Sequence, residues 1–459
     1  MSLSPSQTVT SPSAASLDHW DRQHSWHPFT QMSEYFQMPQ LHVERGDGCW
    51  LYDVEGNRYL DGNASIWTNV HGHNDPDLNQ VLKEQVDRVA HSTYLGLSHP
   101  AGAELGRRLV DMAPEGLDRV TFSDNGSTAI EIALKQSFQY WQLRGMPEKR
   151  LVVCLENGYH GDTFGAMSAG DSRSFHGRFS NWGFENRVFK SPLCREFGGE
   201  ILESDMSESL ADLEVTLRSE GDQVACVILE PSIQGAAGMR LQPKGFLQAV
   251  KELCVQYNTH LILDEIFVGC GRTGSLLVCA EEGVCPDFLC LAKGLTAGYL
   301  PLAATLTSEC IFEAFLGQFD SGNAFFHGHT FTGNPLAAVV ALKNLEKLEN
   351  LKVSSRLDQT IHVFGNVLQR YFADHSNVRE IRQRGMAAAI DLQPSSNQAT
   401  PWKLNDRHGL TVCLQARKRG LLLRPLLDSI LIVPPLVISE EEIDFLMSRL
   451  KQSIDETLN

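Results

Sequence analysis

Short, continuous apolar runs alternate with amphipathic stretches through the middle of the chain. Four such runs, rich in aliphatic residues, lie at 151–156, 224–230, 260–265 and 288–292. Runs of this length and composition are typical of strands buried on both faces of a sheet. Between them, apolar residues recur at helical spacing, as from Phe246 to Tyr257. This alternation predicts an α/β fold with a central, mostly parallel sheet and helices on both faces.

The two ends of the chain carry different patterns. Residues 49–62 contain two strand-like runs around Glu55-Gly56-Asn57, which predicts a small β-ribbon. Asp75-Pro76 is typical of a helix start, and Asn334-Pro335 precedes another long helix and then mixed elements. The chain is therefore predicted to have four parts: a disordered tail (1–20), an N-terminal segment joining the small domain (21–75), a large domain (76–335) and a small α+β C-terminal domain (336–459).

Composition and charge exclude several classes of protein. Of the 459 residues, 42% are apolar and 21% charged, as in ordinary compact domains. The net charge, 39 − 56 = −17, and the lack of a basic run argue against a nucleic-acid partner. The most apolar long stretch, 421–438, is interrupted by charged residues and three prolines, so no membrane span is predicted.

The cysteines and the first residues predict the compartment. Eleven cysteines without a CxxC pair indicate scattered free thiols in a reducing environment. Residues 1–20 contain no Lys or Arg, which fits neither a secretory signal nor a transit peptide. We therefore predict a cytoplasmic protein.

Two polar residues follow neighbouring predicted strands. Asp264 ends the run 260–265, and Lys293 lies just after 288–292 in a glycine-rich loop. The carboxyl ends of strands are where α/β sheets place their ligands. A desolvated lysine has a lowered pKa, which lets its amine attack an aldehyde near neutral pH. Taken singly, each has a commoner explanation, a solvated turn aspartate and a surface lysine.

Two further segments could bind a flat, phosphorylated ligand. Asn125-Gly126-Ser127 ends a strand and opens a helix, where free backbone N–H groups bind phosphate. Helix capping by Ser127 is a simpler explanation and is compatible with phosphate binding. Tyr159 and His160 stand in a glycine-flanked turn that could lay an aromatic ring across a cofactor, although a packed tyrosine explains the same pattern.

Paired histidines raise the alternative of a metal site. His71-Gly72-His73 and His327-Gly328-His329 each offer two imidazoles. Zinc sites rarely depend on such a pair alone, and neither pair has a Cys or acidic ligand at metal spacing. No metal is therefore predicted.

Together, these segments resemble the class III aminotransferases, fold-type I enzymes that depend on pyridoxal 5′-phosphate. Three further motifs carry the likeness: EPSIQGAAGM (230–239), LDEIFVGCGRTG (263–274) and HGHTFTGNP (327–335). The resemblance runs from about Trp26 to the C-terminus. It implies that the large domain, 76–335, binds the cofactor, and that amino transfer proceeds in two steps.

The resemblance also implies roles for individual residues. Lys293 would bond to the aldehyde of the cofactor and then move the substrate proton, while Asp264 would pair with the pyridine nitrogen. Gly126 and Ser127 would hold the phosphate. Tyr159 would stack on the ring and take part in catalysis.

Two more residues, Glu230 and Thr330, complete the implied cofactor site. Glu230 would form a hydrogen bond near the cofactor, with Gln234 close by. Thr330 would reach the phosphate from the other subunit of a homodimer, so the two active sites would be shared.

Within this class, four segments are most similar to the branch that serves biotin biosynthesis; they lie at 26–32, 65–73, 159–168 and 421–435. Enzymes of that branch aminate the ketone of 8-amino-7-oxononanoate. Arg424 would receive the carboxylate of this acceptor, since a guanidinium binds a carboxylate through two hydrogen bonds. An interdomain salt bridge is the alternative role for Arg424. Trp67 and Phe29 would also contact substrate.

The amino donor and the substrate class stay open at this level. Phe29, Ile66-Trp67 and Leu431 are more apolar than their counterparts in the enzymes that use S-adenosylmethionine, which favours lysine, although S-adenosylmethionine is the default donor of the branch. Phe267 and Cys270 also depart from the usual family sequence before GRTG. A class III enzyme for ω-amino acids or diamines, such as γ-aminobutyrate or ornithine, is the alternative function.

Overall fold

Helices and strands alternate along most of the chain, and the computed structural model describes residues 12–197, 200–394 and 402–458. The strands are β1 (Val43–Asp47), β2 (Trp50–Asp53), β3 (Arg58–Asp61), β4 (Arg119–Ser123), β5 (Leu151–Leu155), β6 (Asn186–Phe189), β7 (Leu193–Phe197), β8 (Glu200–Asp205), β9 (Val224–Leu229), β10 (Ile233–Gln234), β11 (Arg240–Leu241), β12 (His260–Asp264), β13 (Phe288–Leu291), β14 (Ala303–Thr307), β15 (Val378–Arg384), β16 (Ala387–Leu392), β17 (Leu421–Leu422), β18 (Arg424–Leu426) and β19 (Ser429–Ile432).

The α-helices cover both ends of the chain as well as its middle. They are α1 (Ala14–His24), α2 (Met32–Tyr35), α3 (Ala64–Trp67), α4 (Pro76–Val86), α5 (Pro100–Met112), α6 (Gly126–Leu143), α7 (Phe164–Ser168), α8 (Arg173–His176), α9 (Ser207–Glu220), α10 (Phe246–Gln256), α11 (Val278–Glu281), α12 (Glu309–Glu313), α13 (Pro335–Val353), α14 (Arg356–Phe372), α15 (His408–Lys418) and α16 (Glu440–Leu458). Within the described ranges, every helix is too short or too polar to cross a bilayer.

The central sheet has seven strands in the order β4-β14-β13-β12-β9-β5-β6. Only β14 runs antiparallel to its neighbours, β13 and β4. The predicted mostly parallel sheet is therefore confirmed. In the register of β12 and β13, Asp264 lies opposite Cys290, so the segment after β13 begins at the same edge of the sheet as Asp264.

Two apolar cores lie on opposite faces of this sheet. Successive residues of a strand point to opposite faces, and Leu263 accordingly belongs to one core while Ile262 belongs to the other. Helix α10 contributes Val250 to the first core, and α6 contributes Ile130 to the second. Helices thus cover both faces, as the alternating pattern predicted.

Elements near the two ends of the chain contact each other. The ribbon of β2 and β3 forms as predicted, and β3 pairs in parallel with β17. Trp50 Nε1 donates a hydrogen bond to Glu442 Oε1 at 2.7 Å. Strands β15, β16, β19 and β18 form a separate four-stranded sheet. These contacts support our proposal that residues 21–75 join the small domain that follows residue 335.

The structure differs from the sequence interpretation at the N-terminus. We predicted a disordered tail over residues 1–20; residues 1–11 lie outside the described residues, but α1 begins at Ala14. Ser13 caps this helix by accepting a hydrogen bond from the Ser16 N–H at 3.2 Å. Asp21 also binds the Tyr35 hydroxyl. No residue of α1 is buried, so the sequence of this helix carries no periodic apolar signal.

Candidate active site

A cavity of about 720 Å³ opens where the strands of the central sheet end. Asp264 is the last residue of β12, Glu230 follows β9 directly, and Lys293 lies two residues beyond β13. All the predicted site residues except Thr330 line this cavity: Phe29, Trp67, Gly126, Ser127, Tyr159, Glu230, Asp264, Lys293 and Arg424.

Lys293 enters the cavity from a strained backbone position. Its φ is 43°, in the left-handed region that residues other than glycine rarely adopt. Burial lowers the pKa of the Lys293 amine, and the nearby carboxylates of Asp264 and Glu230 act in the opposite direction. The lysine is therefore a desolvated amine beside two acids, and not the surface lysine of the simpler interpretation.

Asp264 is a buried, fully engaged carboxylate, with 4% of its surface exposed. Its Oδ2 lies 2.8 Å from Nδ1 of His160, and its Oδ1 accepts a hydrogen bond from the Ile266 N–H at 3.1 Å. A carboxylate held this way keeps its orientation. The solvated turn aspartate considered from the sequence is not what the structure contains.

The N-terminus of α6 faces the same cavity, and Asn125, not Ser127, caps it. Asn125 Oδ1 accepts from the Thr128 N–H at 3.2 Å, while Thr128 Oγ1 accepts from the Asn125 N–H at 3.0 Å. Ser127 Oγ instead accepts from the Asp162 N–H at 3.2 Å. Among the described residues, the N–H groups of Gly126 and Ser127 have no acceptor. The helix end is therefore available to an anion.

Close packing restricts what can stand at Gly126 and Gly161. A Cβ at Gly126 would lie 2.8 Å from the Ile266 side chain, and one at Gly161 would lie 2.1 Å from Ser127 Oγ. Gly161 also has a φ of +129°. Both positions need glycine because a side chain would fill the space around Ser127 and the helix end.

Tyr159 forms one wall of the cavity. Its hydroxyl donates to Asp162 Oδ2 at 2.9 Å, and its ring stacks on that of His176 with centroids 5.7 Å apart. Burial, together with the Asp162 carboxylate, raises the pKa of the Tyr159 phenol above its ordinary value. The phenol therefore stays protonated over the physiological range.

Glu230 and Gln234, expected to be neighbours in the site, have separate surroundings. Glu230 Oε1 accepts from the Gly235 N–H at 3.0 Å. Gln234 Nε2 donates to the Glu156 carbonyl at 2.9 Å and Gln234 is not among the cavity residues. Of these two residues, only Glu230 lines the cavity with Lys293.

The pKa of Glu230 predicts a pH dependence of stability. Burial, followed by the Asp264 charge, raises this pKa from 4.5 to about 7. The Glu230 carboxyl then binds a proton more tightly in the folded state than in the unfolded chain, so proton binding stabilises the fold. This stabilisation is complete below pH 4.5 and is lost as the pH rises through about 7. Glu230→Gln removes the titration. We expect the free energy of unfolding of the cofactor-free variant to rise relative to wild type between pH 5 and pH 8.

Denaturant unfolding at the two pH values measures this difference. Glu252→Gln, on the exposed side of α10, serves as the control and should keep a constant offset from wild type. The same constant offset in Glu230→Gln would mean that the buried carboxyl does not titrate in this range.

Arg424 lies at the cavity without a carboxylate partner. In the described part of the chain it forms no ion pair, so the interdomain salt bridge considered from the sequence is not present. The guanidinium is thus free to bind an incoming anion.

Trp67 and Phe29 line the same cavity. Trp67 Nε1 donates to Asn63 Oδ1 at 3.0 Å, and the Phe29 ring packs edge-on against the Phe175 ring with centroids 5.5 Å apart.

Thr330 is the predicted site residue that the chain does not bring into the cavity. It is exposed, in the turn that precedes α13. The sequence resemblance assigned it to the site of a second subunit, and its position outside the cavity of its own chain is compatible with that assignment.

Two residues near the site were not assigned a role from the sequence. His160 was noted only as a member of a turn, and its contact with Asp264 joins residues 104 positions apart. Arg272 is 1% exposed, and its Nη1 donates to the carbonyls of Met386 and Pro434 at 3.1 and 2.6 Å. Arg272 thereby ties the loop after β12 to the C-terminal part of the chain.

In each histidine pair, one imidazole lies beside a single carboxylate. His73 Nε2 lies 2.9 Å from Asp61 Oδ2, and His329 Nδ1 lies 3.6 Å from Asp124 Oδ2. Among the side chains described, no group of three or more His, Cys, Asp or Glu could hold a metal ion.

Comparison with known proteins places this cavity in a family. The model of the class-III aminotransferases matches residues 31–454. An adenosylmethionine-8-amino-7-oxononanoate aminotransferase from Geobacter sulfurreducens is 45% identical over 440 residues, 95% of this chain and 97% of that protein. A crystal structure of the enzyme of that name from Methanocaldococcus jannaschii superposes with a TM-score of 0.91 at 38% identity, covering 96% of this chain and 99% of that one.

A solved amine transaminase from an uncultivated Pseudomonas species, described in its PLP-bound form, has a TM-score of 0.85 and 31% identity, and covers 95% of this chain and 99% of that one. The family match spans nearly the whole chain, including every cavity residue named above except Phe29. The chain therefore belongs to the class-III aminotransferases, enzymes that depend on pyridoxal 5′-phosphate.

Proposed function

We propose that the protein transfers an amino group to the ketone of 8-amino-7-oxononanoate, giving 7,8-diaminononanoate in biotin biosynthesis. The observation that carries the proposal is one cavity lined by both a desolvated lysine, Lys293, and an arginine, Arg424, that forms no ion pair within the described ranges. The acceptor has a ketone and a carboxylate joined by an apolar chain. Phe29, Trp67 and Leu431 supply apolar surface in the same cavity. The names of the full-length relatives at 45% and 43% identity support this acceptor.

The residues present fit pyridoxal phosphate. The free N–H groups at Gly126 and Ser127 suit its phosphate, and a Cβ at Gly126 or Gly161 would crowd the space beside them. When bound, the cofactor supplies an aldehyde for the amino group and a ring that accepts the electron pair of the broken bond. Asp264 would hold the ring nitrogen, with Tyr159 against the ring.

The side chains of this protein would then position substrate and move protons. Lys293 Nζ is the amine able to take a proton from the substrate carbon and return it, since burial lowers the pKa of this amine. Asp264, oriented by His160, stays in place during this transfer. Arg424 would orient the acceptor through its carboxylate.

The donor is proposed as S-adenosylmethionine or lysine. The names of the relatives support S-adenosylmethionine. Phe29, Ile66 and Leu431 line the cavity with apolar groups, which favours the simpler amine lysine. Each donor must convert the cofactor to its amino form before any acceptor is added.

The first half-reaction tests both the donor and the function. Cofactor-loaded protein is mixed with S-adenosylmethionine or lysine, and the absorbance of the lysine-bound cofactor is followed in a single turnover. We expect at least one of them to remove this absorbance and 8-amino-7-oxononanoate to restore it. If only γ-aminobutyrate or ornithine reacts, the protein is an ω-amine aminotransferase outside biotin synthesis; if neither proposed donor reacts, the proposed function fails.

A homodimer with shared active sites is part of the proposal. Three phenylalanines are exposed in the segment that leads to α13 and contains Thr330, with Phe319 95%, Phe326 76% and Phe331 57% exposed. Several large exposed apolar side chains in one segment favour a surface that another chain covers. A second copy on this face would bring its Thr330 towards the phosphate end of the neighbouring cavity.

The cytoplasm remains the proposed location. The eleven cysteines all lie within the described residues and are thiols rather than halves of disulfides, and most of them are buried. Burial raises the pKa of several, among them Cys226 and Cys270 to about 12, so they remain unreactive thiols. This cysteine usage supports a reducing compartment.

A further inference from the structure

We propose that Phe267 and Trp67 form an aromatic cage that holds the Lys293 amine and favours its protonated form. The proposal rests on the proposed role of Lys293 as the residue that bonds to the cofactor. It assigns to Phe267, which lines the same cavity, a direct effect on the reacting amine.

The cage is defined by three distances. Lys293 Nζ lies 4.8 Å from the centroid of the Trp67 ring and 5.6 Å from that of Phe267. The two rings pack on each other with centroids 4.5 Å apart and planes inclined by 45°. A cation within about 6 Å of an aromatic face is attracted by the ring quadrupole. Both rings therefore stabilise the ammonium.

Phe267 is fixed in this position by its surroundings. It is 4% exposed and lies in the loop directly after β12, three residues beyond Asp264. A Cβ at Gly235 would lie 2.8 Å from the Phe267 ring and 3.1 Å from the Trp67 ring. Glycine at this position thus leaves the space that the two rings occupy.

Trp67 is held by an unusual backbone. The four residues of α3, Ala64–Trp67, have φ values of 42°, 46°, 65° and 69°, so α3 is a single left-handed turn without a glycine and not an ordinary right-handed helix. Such a turn is costly and persists only where its surroundings fix it. Ser65 Oγ donates to Asp61 Oδ2 at 2.8 Å, and the indole N–H is held by Asn63. The strained turn places the indole beside the lysine.

The rings act alongside charged groups. Asp264 and Glu230 face the amine and favour the ammonium, with His160 behind Asp264, while burial disfavours it. Arg424 lines the same cavity and adds positive charge to it. The rings add a stabilisation that needs neither a charge nor a hydrogen bond. Because the rings hold the Lys293 amine when it is not bonded to the cofactor, the Asp264 and Glu230 carboxylates remain available to the cofactor.

Uptake of the cofactor by cofactor-free protein tests the cage without measuring turnover. Only the neutral amine attacks the aldehyde, so the association rate as a function of pH reports the pKa of Lys293. Phe267→Leu keeps an apolar side chain but removes the ring. Loss of the attraction should lower the midpoint of this pH profile by about 0.4 to 0.7 pH. Cofactor association below the midpoint should then be roughly 2- to 5-fold faster.

Fluorinated phenylalanines at position 267 give a second test that barely changes size. Successive fluorines weaken the ring quadrupole, so the midpoint should fall stepwise with fluorine number. Phe175→Leu, which removes another cavity ring with no contact to the lysine amine, should leave the midpoint in place. A slower or unchanged rate in Phe267→Leu, with no trend across the fluorinated series, would overturn the cage.

The failure of this proposal is distinguishable from failure of the proposed function. Lys293→Ala shows by the loss of the lysine-bound absorbance whether Lys293 carries the cofactor at all. If Lys293 carries the cofactor and the midpoint does not change with the ring at position 267, only the cage proposal is wrong. If the absorbance survives in Lys293→Ala, the role of Lys293 is wrong, and the cage proposal falls with it.

Discussion

Lys293→Ala is expected to abolish turnover and the absorbance of the lysine-bound cofactor. The variant loses both the amine that bonds to the aldehyde and the base that moves the substrate proton. Loss of a positioned acid or base alone lowers rates by roughly 10² to 10⁴-fold. In the described residues, no other lysine lines the cavity, so no neighbouring amine can replace it.

Three measurements separate a chemical role of Lys293 from a structural one. Thermal unfolding should show a folded protein, because the side chain ends in a cavity and not in a packed core. Added methylamine should restore part of the proton transfer. Lys244→Ala, which removes an exposed lysine of the same domain, should retain wild-type turnover. Full activity in Lys293→Ala would refute the assignment.

Arg424→Ala is expected to weaken binding of the acceptor more than any other substitution at the cavity rim. The variant loses charge-assisted hydrogen bonds to the carboxylate, about 2 kcal/mol or roughly 30-fold in kcat/KM. Because Arg424 forms no ion pair in the described chain, its removal leaves no buried charge unpaired. The loss should therefore appear in the KM for 8-amino-7-oxononanoate with little change in stability.

Arg424→Lys is the matched control for charge. It keeps the positive charge but lacks the planar fork that binds both carboxylate oxygens, so it should recover only part of the loss. Steady-state kinetics with varied acceptor, alongside thermal unfolding of each variant, gives the comparison. An unchanged KM for the acceptor in Arg424→Ala would remove this residue from acceptor binding.

Much of the fold follows from local patterns. The strands β5, β9, β12 and β13 end within one residue of the predicted runs, because a strand buried on both faces must be continuously apolar. Helix α4 begins at Pro76 behind its cap Asp75, as the turn chemistry predicted. Helix α1 was missed, because its polar contacts with other N-terminal residues leave no apolar stripe to recognise.

The candidate residues were predicted where a strand end marks them. Asp264 and Lys293 stand beside adjacent strands, so the parallel arrangement alone brings them to one edge of the sheet. The motif around Gly126 likewise predicted a helix start, although the residue that caps it, Asn125, could be identified only from the hydrogen bonds.

The sequence by itself determined which segments become strands and helices and the class of fold, because these depend on spacing and chemistry along a few neighbouring residues. Local patterns also marked Asp264 and Lys293, while the resemblance to the class III family supplied Glu230 and Arg424. Only the tertiary structure decided that His160 contacts Asp264, that the Phe267 and Trp67 rings lie beside the Lys293 amine, and that Arg424 forms no ion pair with any described residue. These contacts join residues far apart in the chain. They arise from the order of the strands and the packing of their loops, which local sequence patterns do not encode.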